Sequence, residues 1–216
     1  MPYYVPVLLN LAGRRCVVIG GGTVAERKAT MLAEAGAVTV VVSPAITEGL
    51  LRLHHEREQV VWIEREYRQG DLAGAFLAFA ATDRPEVNAA VTTEAEAEGI
   101  PLNDAGEGAR GSMITPGVLR RGDLVVAVST SGAGPTAARQ LIREIDEHFG
   151  EDYEQYINYL SSARAFIKER ITDPGKRKNL FRRLAETDIL TLIREGSFRP
   201  WSEAAMIAWV EEQTEE

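Results

Sequence analysis

Gly20, Gly22 and Ala25 stand at the spacing Gly-x-Gly-x-x-Ala. This is the dinucleotide fingerprint with its third small residue as alanine. Gly20 permits a tight turn, Gly22 lets the backbone approach a pyrophosphate, and Ala25 keeps a following helix close to a sheet. A glycine triplet alone is equally an ordinary turn, so its context decides. Before it lies the short apolar run Arg15 to Ile19. After it, Val24, Met31, Leu32 and Ala35 mark an amphipathic helix closing at Gly36, with a second strand from Val38 to Val42. A strand, a glycine turn and a helix N-terminus together cradle phosphates with free N–H groups and a positive dipole end. Gly20, Gly21, Gly22, Thr23 and Val24 are therefore expected to line a dinucleotide.

Other residues bear on the same chemistry. The strand after the glycine loop ends at Val42-Ser43-Pro44, where an acidic residue usually holds the adenosine ribose. Ser43 and Pro44 are expected at the ribose. Ser43 can bond a ribose hydroxyl without repelling a 2′-phosphate, so NAD over NADP is only a preference. Thr82 and Asp83 follow an apolar run near the expected switch point of the sheet; they either touch the cofactor or cap the next helix, and the two roles are compatible. Asp104 ends another strand before a glycine-rich loop, where a carboxylate can take a proton during an oxidation or bind an incoming metal ion. An Asn103-Asp104 turn is the alternative. Ser129, Thr130, Ser131 and Gly132 offer hydroxyls and N–H groups before a helix, either as an anion cradle for substrate or as N-caps. His54, His55 and His148 are expected in solvent, without metal-ligand spacing, and nothing resembles a Ser-His-Asp or Cys-His set.

The elements that must position these groups alternate. Strands are expected at 15–19, 38–43, 60–64, within 75–81 and at 100–103, with helices at 23–35, about 46–56, and 86–98. Such alternation implies right-handed crossovers and a parallel sheet covered on both faces, a Rossmann-like α/β fold. Residues 3–9 are expected as a lead-in lying against the first strand. Beyond Asp104, a strand within 113–118, another at 124–129 and a helix at 136–149 form too small a unit to bury both its faces, so a second copy of the chain is expected to complete it. From Tyr153 onward the chain reads as helix, broken at 173–175 and 196–200. The expected organisation is a dinucleotide domain over 1–112, a dimerisation unit over 113–150 and a helical domain over 151–216.

The chain has 216 residues, 45% hydrophobic and 26% charged, which suits an ordinary globular protein with a full core. A net charge of -8 argues against broad nucleic-acid binding. The single Cys16 excludes a disulfide framework and a thiolate metal cluster. No stretch suits a membrane span or a signal peptide, so a cytoplasmic protein is expected. Between 164 and 183, Arg164, Lys168, Arg170, Lys176, Arg177, Lys178, Arg182 and Arg183 read as a solvated helix face. The alternative is a local positive field for a multiply carboxylated substrate.

Gly20-Gly21-Gly22-Thr23-Val24-Ala25-Glu26-Arg27-Lys28 resembles the Gly-Gly-Gly-x-Val-Ala-x-Arg-Lys signature of precorrin-2 dehydrogenases, the N-terminal module of siroheme synthases. Ala80-Ala81-Thr82-Asp83 with Val87-Asn88, then Asn103-Asp104-Ala105, Ser112 to Pro116, and Val126 to Gly132 resemble later blocks of that family, in its order. Thr115 stands where the family usually has methionine. The resemblance implies a homodimer that oxidises precorrin-2 to sirohydrochlorin with NAD, on the way to siroheme or cobalamin. It also implies a catalytic role for Asp104, which in some members serves iron chelation as well. Two other readings remain: a non-catalytic dinucleotide-sensing domain, and a protein that is mainly a sirohydrochlorin chelatase.

Overall fold

The first strand, β1 (Arg15–Ile19), is apolar on both faces, and that dictates its place. Cys16 and Val18 point to one side, Val17 and Ile19 to the other, and all four are buried. A strand with no polar face belongs at the centre of a sheet covered twice. The computed structural model describes residues 4–106, 110–131 and 134–215, and has β1 in that central position. The chain continues through α1 (Thr23–Glu34), β2 (Val38–Ser43), α2 (Glu48–Glu56), β3 (Val60–Glu64), β4 (Leu77–Ala80), α3 (Pro85–Glu98) and β5 (Leu102–Asp104). The strands form one parallel sheet in the order β3-β2-β1-β4-β5.

Each face has its own core. Ala25, Ala29 and Leu32 of α1 and Leu50 of α2 pack on Cys16, Val18, Val41, Leu77 and Phe79. On the opposite face, Val91 and Ala95 of α3 join Leu72 against Val17, Ile19, Val42, Ala78 and Ala80. The chain builds outward from β1 to β3, then returns to the other side of β1 for β4. That reversal opens a crevice at the carboxyl ends of β1 and β4, where open α/β sheets bind ligands. The return has no helix. Instead the Glu94 carboxylate accepts from Leu72 N at 2.9 Å and Arg65 grips Asp71 through two bonds of 2.6 and 2.8 Å.

Two expectations fail here. Residues 4–9 do not lie against β1, because β2 and β4 already occupy both of its edges; Val5 and Leu8 are 73% and 78% exposed. There is also no strand at 113–116. Residues 111–113 instead cover the free edge of β5: Leu102 N donates to Ser112 Oγ at 2.9 Å and Met113 N to Leu102 O at 3.0 Å. Pro116 has no N–H to give a ladder, and the next strand begins just after it.

Residues 116–216 form a second compact unit. Its hairpin joins β6 (Gly117–Arg121) to β7 (Leu124–Val128) in antiparallel register, and α4 (Pro135–His148) follows. Only Leu119 of this hairpin is fully buried within the chain, and Val118 and Leu141 are exposed. The remaining helices, α5 (Glu151–Arg170), α6 (Pro174–Glu186), α7 (Ile189–Arg194) and α8 (Glu203–Glu215), share a core of Tyr159, Ile167, Leu180, Leu184 and Ile189. Tyr159 meets Phe198 and Trp201 edge-on. A break at Thr187-Asp188, unmarked by glycine or proline, adds to the two expected ones.

Candidate functional site

The three glycines between β1 and α1 are glycine for different reasons. Gly20 has φ +126°, and a β-carbon there would lie 2.7 Å from the carbonyl carbon of Ala81. Its closeness lets the end of β1 hold both neighbours: Gly20 N donates to Val42 O at 2.9 Å and Ala81 N to Ile19 O at 2.8 Å. Gly21 lies beneath the loop after β2. A β-carbon there would come within 2.6 Å of Ser43 Oγ and overlap the carbonyl of Ala45. Gly22 differs. Its φ of -81° and ψ of -174° suit any residue, and a β-carbon would meet nothing within 4 Å. No intramolecular contact explains its missing side chain. Gly22 is also the N-cap of α1 and offers no side-chain cap, so the first N–H groups of the helix, those of exposed Thr23 and Val24 among them, lack an intrahelical partner. A bare helix N-terminus with room for an oxygen against its backbone suits a pyrophosphate.

On the β2 side, Ser43 is buried and its hydroxyl donates to Ala45 O at 2.7 Å. Trp62 Nε1 donates to Ser43 O at 2.9 Å, and Pro44 beyond it is exposed. On the β4 side, Thr82 is held by Asn88, a buried residue of α3. Asn88 Oδ1 accepts from Thr82 N at 3.2 Å and Thr82 Oγ at 2.7 Å, while Asn88 Nδ2 donates to Thr82 O at 3.1 Å. Arg84, not Thr82 or Asp83, is the N-cap of α3, and Asp83 is exposed beside it.

Asp104 closes β5 in register with Ala80, and Ala105 N donates to Ala80 O at 2.8 Å. Its side chain is 2% exposed, and Oδ1 accepts from Gly106 N at 2.8 Å. Gly106 lies close to Asn88, whose Nδ2 would be 3.1 Å from a β-carbon there. The end of β1, the Thr82 turn and Asp104 therefore follow one another along the carboxyl edge of three adjacent strands. A buried carboxylate needs such hydrogen bonds to offset lost hydration. Among the described residues, no group of three or more His, Cys, Asp or Glu side chains forms a metal site.

A model of a family described as "Putative NAD(P)-binding" matches residues 7–117, more than half of the chain. The chain belongs to this NAD(P)-binding family. It is 35% identical over 187 residues to siroheme synthase 1 of Aeromonas salmonicida and 36% identical over 193 residues to the siroheme synthase of Azotobacter vinelandii. Those matches cover 87% and 89% of this chain, which spans 40% and 41% of the two relatives. The solved structure of SirC, a precorrin-2 dehydrogenase, superposes with a TM-score of 0.77, covering 99% of this chain and 100% of that one at 22% identity. At that identity the likeness shows a shared fold.

Within this NAD(P)-binding unit, sequence reasoning missed two supports. Lys28 is buried against the sheet, its ammonium 5.1 Å from the centre of the Phe79 ring and donating to Thr115 Oγ. Burial, and then the charge of Arg27, push its pKa down to about 8. Glu26 accepts from Thr47, the N-cap of α2, which locks the loop over Gly21. Asn88 was visible only as part of a motif. Elsewhere, His54 is half-buried, contrary to the solvated reading, because Nδ1 bonds Val60 O at 2.7 Å.

In the second unit, Thr130 Oγ donates to Gly134 O at 3.3 Å, and Ser131 N donates to Ser129 Oγ at 3.3 Å with Ser131 at φ +47°. The N-cap of α4 is Gly134, so these hydroxyls do not cap the helix; Gly132 lies outside the described residues. The basic stretch is partly structural rather than only a solvated face. Arg164 stacks on Phe181 at 3.9 Å, Arg177 bonds Lys168 O at 3.1 Å and Ile171 O, and Arg183 bonds Gln213 at 2.6 Å. Among the described residues, no helix is long and apolar enough to cross a membrane.

Proposed function

We propose that the protein is an NAD-dependent dehydrogenase that converts precorrin-2 to sirohydrochlorin, acting as a homodimer in siroheme or cobalamin formation. The observation that carries this reading is the buried Asp104 carboxylate at the same sheet edge as an uncapped helix N-terminus. The similarity to siroheme synthases and the fold shared with SirC support the substrate class.

The open backbone at Gly22 fits a dinucleotide pyrophosphate, and Gly20 to Val24 would hold it with Thr82 and Asp83 toward its far half. Bound NAD would supply the hydride acceptor. The chain's own residues do the rest. The α1 N-terminus neutralises phosphate charge, and the Asn88 clamp keeps the Thr82 turn rigid. Removing two hydrogens from precorrin-2 releases a hydride and a proton, and Asp104 takes the proton at a carboxylate oxygen. Within the second unit, Ser129, Thr130, Ser131 and Gly132 are proposed as an anion-binding segment able to take a carboxylate. Exposed apolar residues of β6, β7 and α4 support pairing with a second copy, which would bury them.

Anaerobic incubation of the protein with precorrin-2 and NAD tests this, followed by NADH absorbance and the sirohydrochlorin spectrum. Turnover of both in equal amounts is expected. NAD binding without any oxidation would leave a sensing domain. Adding ferrous or cobaltous ion afterwards separates oxidation from metal insertion.

A further inference from the structure

A dinucleotide-binding sheet usually meets the adenosine ribose with a carboxylate at the end of its second strand. Here that position is Ser43, buried beneath the glycine loop with its hydroxyl proton donated to Ala45 O at 2.7 Å. A carboxylate stands one strand further out. Glu64, the last residue of β3, is the register partner of Ser43, and neighbouring strands run about 4.8 Å apart. Alternation puts Glu64 on the same face as Trp62, which packs against the α1 and α2 side of the sheet. The bond from Trp62 Nε1 to Ser43 O, 2.9 Å, ties the two strand ends together. Glu64 is exposed, so its charge is available to a ligand passing over the end of β2.

Two arginines near this edge are already committed. Arg65 is held by both oxygens of Asp71, and Arg84 bridges Glu66 at 2.9 Å and Glu86 at 2.8 Å. A 2′-phosphate would thus meet Glu64 with no uncommitted guanidinium from these two arginines to neutralise it.

We propose that Glu64 is the residue that selects NAD over NADP, accepting from the ribose hydroxyls and repelling a 2′-phosphate. The inference rests on the cofactor reading above. At an exposed edge, one carboxylate against a phosphate a few ångströms away is worth about tenfold or more in affinity, and that discrimination falls with salt.

The test is titration of the full chain with NAD and with NADP, at low and high salt, for the wild type, Glu64→Gln and Glu64→Arg. The wild type should bind NAD at least about tenfold more tightly than NADP, with the ratio shrinking as salt rises. Glu64→Gln keeps hydrogen bonding and removes the charge, so its ratio should fall severalfold and lose its salt dependence. Glu64→Arg should favour NADP. An unchanged ratio in Glu64→Gln, with NAD still bound, would overturn the role of Glu64, as would a wild type without preference. A folded wild type that binds neither dinucleotide would instead defeat the cofactor reading, and this inference with it.

Discussion

Replacing Gly21 and Gly22 separately by alanine should separate folding from cofactor binding, because the two neighbours face different surroundings. At Gly21 the added methyl overlaps the Ala45 carbonyl and crowds Ser43 Oγ. The loop after β2 would have to move, straining the bond from Thr47 N to Gly21 O, now 3.0 Å. Overpacking of this kind costs about 1–3 kcal/mol, and the strained bond about 1 more. For a unit of this size that lowers the melting temperature by roughly 10 °C. At Gly22 the methyl meets nothing, and the backbone angles suit alanine. Stability should fall by no more than about 1 kcal/mol, the difference between glycine and alanine at an N-cap. NAD affinity should behave in the opposite way. A methyl at Gly22 would hold the pyrophosphate off the helix N–H groups. One lost charge-assisted hydrogen bond is worth about 1.5–3 kcal/mol, or roughly 10- to 150-fold in Kd. Calorimetric titration with NAD and thermal melts of both variants make the comparison. A Gly22→Ala protein that binds NAD as well as the wild type would refute the assignment of this loop. A Gly21→Ala protein with an unchanged melt would refute the steric argument. Gly22→Asp adds charge repulsion to the bulk and should abolish binding outright.

Further outcomes follow from other parts of the structure. Asp104→Asn should keep NAD affinity and the bond from Gly106 N while lowering kcat for precorrin-2 at least a hundredfold, in keeping with the loss of a general base; near-normal turnover would reduce Asp104 to a turn residue. Light scattering at micromolar concentration should give a dimer, and Leu141→Glu on the exposed side of α4 should give a folded monomer; a monomeric wild type would contradict the pairing of β6, β7 and α4. Burial pushes the Lys28 pKa from its ordinary 10.5 down to about 8, so between those values the unfolded state binds more protons and stability should rise with pH. Below about pH 8 the burial penalty is present in full, and Lys28→Met should be more stable than the wild type by about 1 kcal/mol, after discounting for residual solvation. That advantage should shrink toward pH 10, and denaturant melts across this range would show a constant difference if the ammonium were not the cause.

Much of this architecture was legible because the signals are local. The apolar run of β1, the small-residue spacing after it and the return to β2 each constrain a few consecutive residues, and the sheet order follows once the crossovers are right-handed. What escaped was set by contacts between distant segments. Nothing in Tyr4 to Leu9 reveals that both edges of β1 are already taken by residues 38–43 and 77–80. The strand expected at 113–118 begins at Gly117, because residues 111–113 are drawn to the open edge of β5.

The supports around the site were hidden for a different reason. Lys28 and Glu26 look, in sequence, like the polar face of an amphipathic helix. Helix α1 instead buries Lys28 over Phe79, and the Glu26 carboxylate anchors Thr47 at the start of α2. Asn88 shows the same logic at the other side of the crevice: one amide turned inward from α3 holds the backbone and hydroxyl of Thr82. Polar residues turned inward at this sheet edge fix the loops, which leaves the unsupported side chains to meet ligand. Gly22 is the clearest case. Gly20 and Gly21 are explained by the protein around them, whereas a β-carbon at Gly22 would meet nothing within 4 Å, and the pyrophosphate proposed for this loop would account for its missing side chain.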